Sequence, residues 1–163
     1  MRTFIILFIC CLSISAFSQD DKLEAMWQKL AFGKSECLTG GQYVRDSVFG
    51  SEACVLTRSK EWAVFFAYPK DELTTFLINK MKDTATTKIH TCPFFKSTEG
   101  ELAVYCLQKI YLKNWYDFDE FSSYKKREIT SSVNNHQAWL QAILMDNKQR
   151  EVLENLWKME MRK

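Results

Sequence analysis

The chain is poor in residues that interrupt secondary structure, with 2 Pro and 5 Gly among 163 residues. That scarcity excludes collagen-like and proline-rich linker material. It also lacks a dominant charge: 22 basic side chains stand against 20 acidic ones, for a net of +2. A dedicated nucleic-acid binder draws its affinity from a clear cationic excess, so that class is excluded. Histidine is scarce as well, with only His90 and His136. There is no Gly-x-Ser-x-Gly nucleophile elbow, no phosphate-binding P-loop and no Gly-x-Gly-x-x-Gly fingerprint. The Asn-x-Ser/Thr acceptor for N-glycosylation is missing too.

What is present is apolar and aromatic. At 47% hydrophobic and 14% aromatic residues, the chain cannot be read as disordered. Its length suits one domain with a real core.

The only long apolar run lies at the start. Arg2 is followed by an almost unbroken run from Phe4 to Leu12, then by Ala16-Phe17-Ser18. A short positive head, an apolar core and small residues at the cleavage positions read as a secretory signal peptide over 1–18, cleaved after Ser18. The run is too short to span a membrane comfortably, and no later stretch is long enough. Cys10 and Cys11 do not read as a lipidation site, because Phe8-Ile9 precedes them where a small residue is needed. The mature part, 19–163, is expected to be one exported domain, periplasmic or extracellular. It keeps Cys37, Cys54, Cys92 and Cys106. An even number of cysteines in an oxidising compartment predicts disulfides. Local pairing, Cys37–Cys54 and Cys92–Cys106, is preferred among the three connectivities, each loop contributing about 3 kcal/mol. Buried thiols are the alternative.

Helical signals dominate the mature chain. Leu23, Met26, Trp27, Leu30 and Ala31 repeat with helical spacing, with Asp20 or Asp21 as the cap and Gly33 as the stop. Gly40-Gly41 marks a turn, and 43–68 is the least legible part. Ser59 with Glu61 behind it favours a short helix through Trp62–Ala67. Pro69, Asp71 and Glu72 open another helix, with Leu73, Phe76, Leu77 and Met81 on one face. Asp83 to Lys88, polar and threonine-rich, reads as a connection. Pro93 pushes Ile89–Cys92 into an extended form. Thr98 and Glu101 have capping-box spacing, and a wide apolar stripe follows to Leu112, so this helix is expected to be central. Ser131 or Ser132 is expected to cap a helix through Leu144. Asp146 and Gln149 then open a last helix, and the two form a hairpin. The expected fold is mainly α: one compact domain of five or six helices in packed αα-hairpins, tightened by disulfides.

No residue constellation points firmly to chemistry. His90 and Cys92 lack zinc-site or protease spacing, and His136 lies on the apolar side of its helix, so no metal or cofactor is assigned. Glu99, Glu101, Asp117 and Asp119 are weak catalytic candidates, because glycan hydrolysis needs two carboxyl groups across a cleft. The capping role of Glu101 is the simpler account. Trp115, Tyr116, Phe118 and Phe121 could present an aromatic binding surface or plug the core. The domain's need for large side chains inside favours the core. Lys125-Lys126-Arg127 reads as a solvated basic face. The sequence therefore supports an exported binding or interaction protein, not an enzyme, with an unknown protein or glycan as partner. A small glycan hydrolase and a structural component of the cell envelope are the alternatives.

Overall fold

The structure, a computed structural model, describes residues 19–37, 59–92, 95–131 and 133–163. The expected signal peptide, the Gly40-Gly41 turn and the apolar groups around Val48 and Cys54 lie outside the described residues. Mainly helical architecture holds. Seven helices are described: α1 (Gln19–Phe32), α2 (Lys60–Phe66), α3 (Lys70–Lys80), α4 (Glu99–Tyr111), the short α5 (Ser122–Lys125), α6 (His136–Met145) and α7 (Asn147–Met161). They are joined by a small sheet that the helical reading did not include: β1 (Glu36–Cys37), β2 (Thr86–Cys92) and β3 (Phe95–Thr98), in the order β1-β2-β3. Strand β2 runs parallel to β1, with Glu36 opposite Ile89. It runs antiparallel to β3, with Thr86 opposite Thr98.

The helix starts follow local chemistry. Ser59 accepts the amide of Trp62 at 3.3 Å and opens α2, which buries Trp62 and Phe65. Asp71 and Glu72 sit in the first turn of α3, where the helix dipole favours an acid. Thr98 and Glu101 close a full capping box on α4. Asp146 accepts the amide of Gln149 at 3.0 Å, so α7 starts directly where α6 ends and the two pack as a hairpin. Two boundaries differ from the sequence expectation. Helix α1 already includes Asp20 and Asp21, so neither stands at its cap position. Helix α6 is capped by Asn135, which accepts the Ala138 amide at 3.0 Å, and not by Ser131 or Ser132.

Helix α4 is the axis of the molecule. Every residue from Glu99 to Gln108 is buried, against α3 on one side and α6 on another. The end of α3 meets the start of α4: the Gly100 amide donates to the Asp83 carbonyl at 2.9 Å. A Cβ on Gly100 would lie 2.5 Å from the Met81 carbonyl oxygen, so this approach requires glycine. The chain between α3 and α4 is the β2–β3 hairpin, so these helices pair across a folded link. Four tryptophans, Trp27, Trp62, Trp115 and Trp157, are among the most deeply buried side chains of one continuous core.

Cys106 sits fully buried in the middle of α4. No disulfide forms among the described residues. Cys54 and the side chains of Cys37 and Cys92 are outside that description, so the expected pairs are not part of the observed architecture.

Candidate functional site

The candidate acids are placed where they serve the fold. Glu101 is completely buried. Its Oε2 accepts the Thr98 amide at 2.8 Å and the Gln141 side-chain amide at 3.0 Å. It thus ties the start of α4 to α6. Burial pushes its carboxyl above the usual value, against the opposing pull of these hydrogen bonds. Glu99 is also buried, and its Oε1 accepts the Trp27 indole N–H at 2.7 Å. Lys80 reaches that same oxygen at 3.5 Å and the Glu24 carboxylate at 3.0 Å. Burial alone would lower the Lys80 ammonium. Its hydrogen bond to Glu24 and the fields of Glu99, Glu24 and Asp83 outweigh that and hold it above its ordinary value. Glu99 therefore belongs to a polar joint between α1, α3 and α4, buried behind Lys80 and Glu24, which line an open hollow of about 590 Å³.

Asp117 accepts the Asn114 amide at 2.9 Å and Lys125 Nζ at 2.8 Å. Partial burial opposes its ionisation, but the hydrogen bonds from Lys125 and Asn114 and the Lys125 charge together outweigh it and hold its pKa low. Asp119 is exposed at the start of a 3-10 turn, and its carbonyl accepts the Ser122 hydroxyl. Capping and ion pairing thus engage Glu99, Glu101 and Asp117, and Asp119 stands apart on the surface.

The four candidate contact aromatics are core residues. Trp115, Tyr116, Phe118 and Phe121 are 2%, 6%, 5% and 4% exposed. They sit on two 3-10 turns, Trp115–Asp117 and Asp119–Phe121, or between them. Trp115 packs edge-on to Tyr116, Phe121 and Tyr124, and Phe118 packs edge-on to Trp157. As placed, they offer no contact face. The aromatic segment seals the end of α4 against α7, which is the burial that a domain of this size demands.

His136 begins α6 with its ring 4.6 Å from Tyr116 and 5.1 Å from Trp139. Burial lowers its pKa. His90 is half-buried on β2, opposite Lys96 of β3. Among the described residues no group of three or more His, Cys, Asp and Glu side chains is arranged to hold a metal ion. In the basic run, Lys125 is paired with Asp117, and the Arg127 guanidinium lies 3.9 Å from the Tyr124 ring centre. Those two cations are committed to intramolecular contacts.

The sequence reading missed a groove between α1 and α2. Its main hollow, about 350 Å³, is lined by Met26, Lys29, Leu30, Lys60, Glu61 and Val64. A second hollow of about 240 Å³ shares Lys29, Leu30 and Glu61 and extends to Gly33, Lys34 and Ser59. The spacing explains the assembly. Residues 26, 29, 30 and 33 recur at i, i+3, i+4 and i+7, so they share one side of α1. Residues 60 and 64 share one side of the short α2 by the same rule. Leu30 is buried and Met26 half-buried, whereas Val64 is 58% exposed. The lysines had no visible role in sequence, because nothing local links Lys29 to Lys60 across the intervening chain.

No helix among the described residues is long and apolar enough to cross a membrane. No family model, curated protein or solved structure matches the chain.

Proposed function

We propose that the protein is an exported, non-enzymatic binding module whose contact site is the groove between α1 and α2. The observation that supports this reading is the groove itself. It is concave, its floor is apolar, and it falls in the size range of small-molecule sites, about 300–1,000 Å³. It replaces the aromatic segment 115–121 as the contact surface. The glycan-hydrolase reading has less support, because Glu99, Glu101 and Asp117 are held by internal partners. No observation favours the envelope-component reading.

Native mass spectrometry of the protein isolated from its own source tests the reading. The unaltered protein is expected to carry a bound species that Val64→Asp loses, with the helical circular dichroism of the two unchanged. An equally loaded Val64→Asp, or a bare unaltered protein, overturns the groove as the contact site. Export rests on the segment 1–18. A mature chain starting at Gln19, lighter by four hydrogens before reduction than after, is the expected mass. A full-length chain with unchanged mass overturns both export and oxidation.

A further inference from the structure

We propose that the groove between α1 and α2 binds a single-chain anionic amphiphile, with its alkyl chain on Met26, Leu30 and Val64 and its acid group among Lys29, Lys34 and Lys60. This assignment rests on the binding reading above and names the ligand class for that site.

Size selects a small molecule over a macromolecule. The main hollow, about 350 Å³, lies in the range of small-molecule sites, and among the described residues it is lined by six, whereas a stable protein interface engages about 20–30 residues on each side. The floor selects an apolar chain. Met26 and Leu30 lie side by side on α1, and Val64 faces them from α2 while remaining mostly exposed. Such a side chain gains from being covered by another apolar group.

The rim selects the head group. Lys29, Lys34 and Lys60 line the two hollows, and among the described lining residues Glu61 is the single acid. Among the described residues none of these lysines closes an ion pair. Glu61 accepts the Ser59 hydroxyl at 2.9 Å in the first turn of α2 and keeps its charge, and its hydrogen bonds, helped by the fields of Lys34 and Lys29, hold its carboxyl below the usual value. Among the described residues, three cations against one carboxylate leave a surplus of two positive charges at the edge of an apolar floor. A fatty-acid-like carboxylate meets both requirements in one molecule. A cationic amphiphile meets the floor and is repelled by the rim. The argument is charge complementarity, and the exposed lysines make it sensitive to salt.

Amide and methyl chemical-shift titration with decanoate, kept below its micelle concentration, tests the assignment. Saturable shifts are expected on Met26, Leu30 and Val64. Decyltrimethylammonium, with a chain of the same length, is expected to bind at least about tenfold more weakly. The double variant Lys29→Glu with Lys60→Glu, both at exposed positions, is expected to weaken decanoate by about tenfold or more. Equal binding of the two amphiphiles at these residues overturns the anionic assignment and leaves the groove as a binding site. Shifts that map elsewhere, or no shifts with either probe, overturn the assignment. The native mass comparison with Val64→Asp then decides the binding reading separately. Nuclear Overhauser contacts from Val64 to residues 38–58 in ligand-free protein, or concentration-dependent shifts on the groove without ligand, overturn it in favour of the chain itself or a second copy.

Discussion

A carboxyl group sealed inside a helix start pulls stability in two directions. Glu101 gains from accepting the Thr98 and Gln141 amides, and it loses from carrying charge out of water. Burial is the larger influence, so the folded protein holds the Glu101 proton more tightly than the unfolded chain does. A carboxyl raised in this way adds stability that is complete below its unfolded value. That stability is lost as pH rises through the folded value. Glu101→Gln keeps an acceptor oxygen for both amides and cannot ionise. The stability of this variant relative to wild type is therefore expected to climb as pH is raised from about 4 to 8. Urea unfolding of both proteins across that range checks it, and a difference independent of pH overturns it. Glu101→Ala is expected to lose roughly 1–3 kcal/mol near pH 4, because two buried donors lose their acceptor, and that deficit is expected to shrink as pH rises and the wild-type carboxyl ionises. Half of this site was legible in sequence. The Thr98–Glu101 spacing announces the cap, since both partners lie within one turn. Gln141 is forty positions away, and only the packing of α6 on α4 brings it near.

At the scale of elements, the sheet is where the helical reading fell short. Strand β2 alternates as a strand should: Thr87, Ile89 and Thr91 are buried, and Thr86 and Lys88 are exposed. Two of its three inward positions are threonine, so the alternation is nearly invisible to a hydrophobic pattern, and 83–88 reads as a polar connection. Threonine is β-branched and suits a strand once its hydroxyl is satisfied. Here the Thr87 and Ser97 hydroxyls meet at 2.7 Å inside the hairpin, and Ser97 also donates to the Ile89 carbonyl at 3.2 Å. The pair is fully buried. Thr87→Val alone strands part of the Ser97 hydroxyl's bonding and is expected to cost about 1–3 kcal/mol. The same change made with Ser97→Ala is expected to cost less than the two single losses added together. Denaturant melts of the four proteins give that coupling, and strict additivity would mean the two hydroxyls do not act as a unit. The helix boundaries were more legible because their signals are local: Ser59, Thr98 and Asp146 each cap from within three residues. The exceptions are α1, which already includes both aspartates expected to cap it, and α6, where several polar residues precede the helix and Asn135 is the one that accepts the Ala138 amide.

Across the whole molecule, the buried apolar residues form one cluster that draws on each of the six longer helices. Its aromatic contacts concentrate at two ends. Trp27, Trp62, Phe65 and Phe76 meet where α1, α2 and α3 converge. Trp115, Tyr124, Trp139 and His136 meet beside α6. Helix α4 runs between them, and Tyr111 and Phe118 both contact Trp157 on α7. The groove at α1 and α2 thus belongs to the end of the molecule where Trp27 and Trp62 are buried. Because α3 and α6 both pack on α4, and α1 and α7 pack on α3, loss of either end exposes the apolar surface that supports the other. Heat unfolding is therefore expected to be one cooperative transition. The check uses two variants, Trp27→Phe with Trp62→Phe, and Trp115→Phe with Trp139→Phe, each leaving its tryptophan signal weighted to the opposite end. Within each variant, the fluorescence midpoint is expected to coincide with the midpoint from far-ultraviolet circular dichroism. Separate midpoints would show that the end carrying the groove unfolds on its own. The groove would then be a site that closes around its ligand by folding, with affinity reduced by the cost of ordering it.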